Sequence, residues 1–379
     1  MSEKNWRSNI DWLSFGAACA LAFLGLLTMS SFTEGDPFFL RQTAWIILGV
    51  LVFFIASIID WRVLRRTGVA AWLYAATLLP LLVLIFFGSA TQGAKSWFDI
   101  GPFALQPVEF VKLALIIALA KYFSRRHTEI HNIRHLFISG AYAAIMFVLV
   151  ALQPDFGSAL IIGAIWLCMV LISGISRWHL GALFLVALVA FGGLWLFGFR
   201  EYQKERILTF IHPLADIHGA GYNAYQSTVA VGSGELFGKG IGYGSQSKLR
   251  FLPEYQTDFI FAAFAEEWGF VGIGIVFSLY GLLFVRIISM AARGASNFET
   301  LFGFGVLFYF LAHFTLHTGI NLGLLPVTGT TIPFMSYGGS HLLVEFCALG
   351  MLSGMHRYSR AAPRDALSKE LSGGYDALR

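Results

Sequence analysis

Ten separate stretches of this chain are each long and apolar enough to cross a lipid bilayer, and that repetition limits the fold before any single residue is weighed. A bilayer core about 30 Å thick needs roughly 20 mostly apolar residues per helix. Stretches of that kind run over 12–32, 38–59, 69–87, 107–123, 135–152, 156–174, 179–198, 259–287, 300–319 and 336–356. In hydrocarbon every backbone polar group must be satisfied internally, so runs this long read as helices. The chain is 57% hydrophobic and 13% charged, against about 25% charged in a typical soluble domain. It lacks the polar surface to sit in water. The expectation is an all-α polytopic membrane protein, a single domain over 1–379.

The polar start at 1–11 carries Lys4 and Arg7, and the apolar run behind it is too long for the h-region of a signal peptide. It reads as the first of ten spans. Basic residues in short loops mark the cytoplasmic side. One side collects Arg62, Arg65, Arg66, Arg125, Arg126, Arg134, Arg177, Arg286 and Arg293, together with Lys4, Arg7 and the Arg357, Arg360 and Arg364 of the tail. The opposite short loops hold only Arg41 and Lys95. Both termini, including the tail 357–379, are therefore expected in the cytoplasm, and the connection 199–258 between helices 7 and 8 outside. That connection is rich in Gly but dotted with aromatics such as Tyr222, Tyr225 and Phe237. Long loops of this kind are usually functional or disordered; the aromatics favour a folded lid. No internal repeat supports an inverted-repeat transporter. No basic run suggests a nucleic-acid partner, and Cys19, Cys168 and Cys347 are too scattered for a disulfide framework or a metal site.

Ionisable residues inside the spans are costly and therefore informative. Glu109 and Lys112 open the fourth span behind Pro107. One reading makes Glu109 a first-turn residue that pairs with Lys112 at i,i+3 for helix stability. The other makes them a charged pair facing a water-filled cavity, with Lys112 offered to a phosphate. Asp258, at the outer end of the eighth span, reads either as an N-cap or as a carboxylate whose partial desolvation suits it to general-base work. Glu266 and Glu267 are adjacent, so at least one faces protein or water. His313 and His317 share a helix face at i,i+4, where interhelical hydrogen bonding outweighs a metal site for want of a third ligand; Glu345 is open in the same way. Between Gly319 and Ser340 the residues Pro326, Gly329, Pro333, Gly338 and Gly339 break any helix. Irregular backbone at membrane depth must be buried in protein or line a cavity, so this segment is expected to be a cavity wall.

Four ordered motifs carry a resemblance: GAKSWFDIGPFALQPVEFVK at Gly93–Lys112, QPDFGSALI at Gln153–Ile161, the Gly221–Ala262 segment ending SQSKLRFLPEYQTDFIFA, and GLLPVTGTTIPFMSYGGS at Gly323–Ser340. Together they resemble the SEDS family (shape, elongation, division and sporulation), whose members include RodA and FtsW. LLPVTG looks more like the elongation branch. The resemblance implies ten spans with both termini inside a bacterial cytoplasmic membrane, and glycosyltransfer that polymerises lipid II into peptidoglycan at the outer face. It places the essential aspartate on Asp258 and the cavity acid and lysine on Glu109 and Lys112, and it implies a class B penicillin-binding protein as partner. Ser96, Val108, Glu235 and His341 depart from the family pattern.

Glycan extension requires a sugar 4-hydroxyl to attack an anomeric carbon while a lipid diphosphate leaves, which calls for one base and cations on the diphosphate. Asp258 is the expected base, Lys112 the expected cation oriented by Glu109, and Lys248 and Arg250 supply further positive charge from the outer loop. No carboxylate cluster demands a metal, no cofactor is expected, and the chain leaves a divalent cation open. A lipid II flippase, a division-type polymerase and a scaffold for a transpeptidase are the rival readings.

Overall fold

The computed structural model describes residues 10–31, 38–91, 94–100, 103–125, 133–199, 201–211, 221–249 and 251–361. Lys4, Arg7, Arg126, Arg250, Arg364 and most of the expected tail lie outside them. Thirteen α-helices follow in order: α1 (Trp12–Ser30), α2 (Phe38–Ile58), α3 (Thr67–Phe87), α4 (Pro107–Ser124), α5 (Ile133–Ala151), α6 (Phe156–Ile172), α7 (Arg177–Gly193), α8 (Glu201–Ile211), α9 (Tyr222–Ser233), α10 (Ser245–Lys248), α11 (Ile260–Ala292), α12 (Asn297–Asn321) and α13 (Gly339–Ala361). Each of the ten expected stretches falls on one of them. Among the described residues seven helices have the length and composition to cross a membrane: α1, α2, α3, α5, α7 with the turn after it, α11 and α12. Of the other three, α6 has only 17 residues, α4 carries Glu109, Lys112 and Lys121, and α13 carries His341, Glu345 and His356. The chain is a multi-pass membrane protein, mostly helical.

It is not wholly α. Strands β1 (Ser89–Thr91), β2 (Ala94–Ile100) and β3 (Phe103–Leu105) form a small antiparallel sheet in the order β1-β2-β3. The sequence reading left this segment as an outer loop. Two of the strands have three residues each and β1 pairs through an irregular register, so no alternating pattern announces them.

Lipid tails give apolar helices little reason to associate, so close packing and polar contacts between helices must hold the bundle. The contrast between α4 and α7 shows the result. Fourteen of the 18 residues of α4 are buried, including both Glu109 and Lys112, so this helix is the axis of the bundle and its charges face protein. None of α7 is buried. Two ion pairs fasten the end that bears most of the arginines: Arg286 on Asp11, and Arg65 on the buried Glu299.

Helix α11 is broken at Gly269, whose φ of 63° and ψ of −163° lie outside helical space. In an unbroken helix the amides of Phe270 and Val271 would bond the carbonyls of Glu266 and Glu267. Instead these four groups turn to the loop after α9. Phe270 N donates to Glu235 O at 2.9 Å and Val271 N to Leu236 O at 3.1 Å, while the carbonyls of Glu266 and Glu267 accept from Lys239 N and Gly240 N, both at 3.0 Å. A Cβ on Gly269 would stand 2.3 Å from Gly238 N, so the contact requires glycine. The side chains of the same glutamates hold the loop further on. Glu266 Oε1 accepts from Lys239 Nζ at 2.7 Å and Gln246 N at 3.1 Å, and Glu267 Oε1 from Gly242 N at 2.6 Å. Both therefore face protein. Glu235, one of the departures from the family pattern, sits at φ 47°, a region that favours glycine.

The lid between α7 and α11 is folded where it is described. Ala230 of α9 packs with Leu252, Phe259, Ala262, Ala263 and Ile320 in a small second core over the start of α11 and the end of α12.

Candidate active site

Asp258 stands two residues before α11, and its backbone is tied down on both sides. Three successive carbonyls accept hydrogen bonds: Gln256 O from Tyr337 N at 2.8 Å, Thr257 O from Ser336 Oγ at 2.9 Å, and Asp258 O from Asn321 Nδ2 at 2.9 Å. Asn321 also accepts from Ala262 N at 3.0 Å, locking the end of α12 to the start of α11. The side chain is spared. Helix α11 has Phe259 at its N-cap position with no side-chain cap, so Asp258 does not serve as one. Among the described residues its carboxylate accepts no hydrogen bond. It is half-buried; burial, reinforced by the charge of Glu254, pushes it up to about 7 against the opposing pull of Arg206. Such a carboxyl can take and give a proton near neutral pH.

Gly329 adjoins it: a Cβ there would lie 3.5 Å from Asp258 Oδ2. From Gly329 the irregular segment runs down the face of α12. Thr330 O receives His317 Nδ1–H at 2.7 Å and Thr331 O receives His313 Nδ1–H at 3.0 Å. The segment is buried in protein at Thr330, Ile332, Phe334 and Met335, one of the two settings that irregular backbone at membrane depth requires. His317 Nε2, Thr328 Oγ1 and Thr330 Oγ1 on it are buried and without a protein partner among the described residues.

Below lies the lysine. Because His313 Nδ1 must carry the hydrogen given to Thr331 O, its Nε2 is a lone pair, and Lys112 Nζ donates to it at 3.2 Å. Lys112 Nζ also donates to Glu109 Oε1 at 2.7 Å. Glu109 Oε2 is shared by Tyr309 OH at 3.1 Å and His341 Nδ1 at 2.9 Å. Glu109 is therefore no helix cap; the N-cap of α4 is Gln106. His313 and Asn321 are eight residues apart on α12, so Lys112 lies roughly 12 Å below the level of Asp258 along the helix axis.

Distant residues also gather here. Ligand atoms of Glu109, His313 and His341 all lie within 4.8 Å of one another, so the fold brings carboxylate and imidazole to His313 that sequence spacing did not show. The ammonium of Lys112 already bonds two of the three, and that donor set holds a cation of the protein's own. Asp155 stands at the start of α6. It caps that helix through Ser158 N at 3.0 Å and bears electrostatically on both Lys112 and Asp258. Arg206 of α8, unremarked among the basic residues of the lid, bears on Asp258. Lys248 is exposed on α10 and forms no ion pair or hydrogen bond with Asp258, Glu109 or Lys112 among the described residues. Arg250 lies outside the described residues. Ser96 is buried with its hydroxyl unpartnered among them.

Residues 10–361 match the family of cell cycle proteins that includes FtsW, RodA and SpoVE. The chain belongs to this family. Within it, the peptidoglycan glycosyltransferase MrdB of Escherichia coli K12 is 34% identical over 341 residues, covering 90% of this chain and 91% of that protein. The stage V sporulation protein E of Bacillus subtilis is also 34% identical, with 86% and 89% covered. Among solved structures, a chain from a peptidoglycan synthase complex in which polymerization and crosslinking are coordinated matches at a TM-score of 0.80 and 31% identity, over 92% of this chain and 98% of that one. The family fold is thus shared along nearly the whole length.

Proposed function

We infer that this family member is a peptidoglycan glycosyltransferase that polymerises lipid II into glycan strands for cell-wall synthesis. The observation that carries the reading is the spared carboxyl of Asp258, raised to about 7, above a polar wall that leads down to the ammonium of Lys112. A polymerising site needs a base beside the attacking hydroxyl and cations at the departing diphosphate. Asp258 takes the proton of the acceptor 4-hydroxyl as its oxygen bonds to the anomeric carbon. The bond from that carbon to the diphosphate breaks and the lipid diphosphate leaves. Lys112, held by Glu109 and His313, faces the diphosphate, and Arg206 adds positive charge from the lid. The unpartnered polar atoms of His317, Thr328 and Thr330 suit a ligand rich in hydroxyl and phosphate oxygens.

The same reading assigns ten spans, both termini in the cytoplasm, and a bacterial cytoplasmic membrane. It is supported by the ten long helices and by the Asp11–Arg286 and Arg65–Glu299 pairs at the end of the bundle away from Asp258. LLPVTG supports the elongation branch. A class B penicillin-binding protein supplies the cross-linking, as the structural neighbour within a synthase complex suggests. Purified protein given lipid II, with and without Asp258→Asn, tests the activity. Polymer from the wild type and none from the variant is the expected result; equal polymer from both removes Asp258 as the base, and translocation of lipid II without polymer favours a flippase.

A further inference from the structure

His341 and Glu345 belong to no part of the proposed chemistry, yet they are among the most deeply buried polar residues of the bundle, 3% and 0% exposed. They lie one turn apart at the start of α13. His341 Nδ1 is 2.9 Å from Glu109 Oε2 and His341 Nε2 is 2.8 Å from Glu345 Oε1, the second a contact of charges more than an aligned hydrogen bond. The other oxygen of Glu345 accepts from Phe334 N at 2.7 Å, anchoring it to the irregular segment. With both carboxyls ionised, a ring nitrogen that showed either of them its lone pair would be repelled, so both nitrogens carry hydrogen and the ring is an imidazolium. The buried groups then read, in order, Glu345 negative, His341 positive, Glu109 negative, Lys112 positive. Tyr309 and His313, which bond within this set, are neutral in these contacts, and Asp155 bears on Lys112 from the start of α6. The four charges alternate and sum to zero, and all four residues are buried.

We propose that His341 and Glu345 form a second ion pair, charge-coupled to Glu109–Lys112, and that His341 is a positioning residue which fixes Glu109 and so aims the Lys112 ammonium at the substrate. The role given to Lys112 rests on the function proposed above; the charge coupling does not. Glu109 has two oxygens and two cationic partners. His341 draws one oxygen to itself, leaving Lys112 a single carboxylate contact and His313, with its remaining N–H free of any partner among the described residues. Without His341 both oxygens of Glu109 are available to Lys112, and Glu345 is stranded. Without Glu345 the cluster holds an excess positive charge. Removing one member of a buried charge set is far more damaging than removing a matched pair, and this asymmetry is the signature to look for.

The test uses the full-length purified protein in four variants: His341→Gln, Glu345→Gln, the double variant, and His341→Lys. Thermal midpoint and polymerisation of lipid II per folded molecule are measured for each. Each Gln variant alone should lower the midpoint by several degrees and slow polymerisation at least about tenfold, as misplacement of a reacting group does. The double variant should recover most of the loss in midpoint, including where a single variant does not fold, while its polymerisation stays slow because His341 no longer fixes Glu109. His341→Lys, which keeps the cation and loses the ring, should polymerise faster than His341→Gln; a residue that only fills space would show the reverse. Single variants that behave as wild type, a double variant whose midpoint loss is the plain sum of the singles, or a double variant that polymerises at the wild-type rate overturn the proposal. A wild type that makes no polymer would count against the function alone, because the cycle of midpoints still decides the coupling.

Discussion

Asp11 and Asp258 each stand at the mouth of a long apolar helix, at opposite ends of the bundle, and the fold treats them oppositely. Asp11 caps α1 through Ser14 N at 3.1 Å and takes the guanidinium of Arg286. Burial alone would raise its carboxyl, but the hydrogen bonds from Arg286 and Ser14 and the charge of Arg286 outweigh that and hold it below the ordinary value. Among the described residues the Asp258 side chain caps nothing and forms no ion pair; its backbone is bound by Asn321 and its neighbours by Ser336 and Tyr337. Burial therefore acts on it nearly unopposed. Two residues of one type, in similar sequence settings, divide into a structural anchor and a chemical group according to whether donors reach the side chain or the main chain.

The largest test of that division is Asp258→Asn. Loss of a positioned general base typically slows a reaction about 10²–10⁴-fold, and polymer formed from lipid II should fall by that order while the folded yield is unchanged. The pH dependence follows from the same residue. With a folded value of about 7, wild-type activity should fall about tenfold for each pH unit below 7 and level off above it, as the base becomes protonated. The stability sign is the opposite of the usual carboxylate case. A raised carboxyl keeps its proton longer in the folded state, so its contribution declines as pH rises from about 4 to about 7. At pH 8 Asp258→Asn should melt no lower than wild type. A variant that lost stability along with activity would make Asp258 another Asp11.

Lys112→Ala strands Glu109 in the axis of the bundle. Breaking a buried pair in this way costs about 3–5 kcal/mol, which should appear as a marked drop in thermal midpoint as well as in activity. Lys204→Ala on the lid removes a pair whose acid, Glu201, is 84% exposed; such pairs contribute about 0–1 kcal/mol. Similar losses from both variants would mean that water reaches Lys112 freely in the resting protein.

Much of the bundle was legible because lipid imposes a simple rule: long apolar runs must be helices. Glu109, Lys112 and Asp258 stood out by the same rule, as charges where charge is costly. The rule is silent about pairing across the bundle. His341 and Glu345 meet Glu109 only because α13 packs against α4, 232 residues along the chain in the case of His341. Asp155 was hidden inside a turn whose Pro and Gln explained it well enough, and Arg206 inside a run of ordinary surface charges. The break in α11 was hidden for another reason: Gly269 lies in a helix-length apolar run, and only the loop that captures its free backbone groups shows that the helix is interrupted.

The smallest expected effect belongs to the inner aspartate, and it closes the comparison from the other side. Asp11→Ala removes a cap, at a cost of about 0.5–2 kcal/mol, and leaves Arg286, partly exposed, without its partner. The midpoint should fall modestly, while polymerisation per folded molecule stays at the wild-type level because Asp11 touches nothing in the site. Its pH signature is the ordinary one: stability supplied by a depressed carboxyl is complete above about 4 and is lost as pH falls through the folded value. Wild type and Asp11→Ala should therefore differ in midpoint at pH 7 with the variant the less stable, whereas any difference between wild type and Asp258→Asn should have the variant the more stable, opening as pH rises from about 4 to about 7 and holding above it. Thermal melts of the three proteins across that range, taken without any substrate, read both aspartates at once. If the two variants showed the same pH course, the separation of anchor from base would have to be abandoned, whatever the activity measurements gave.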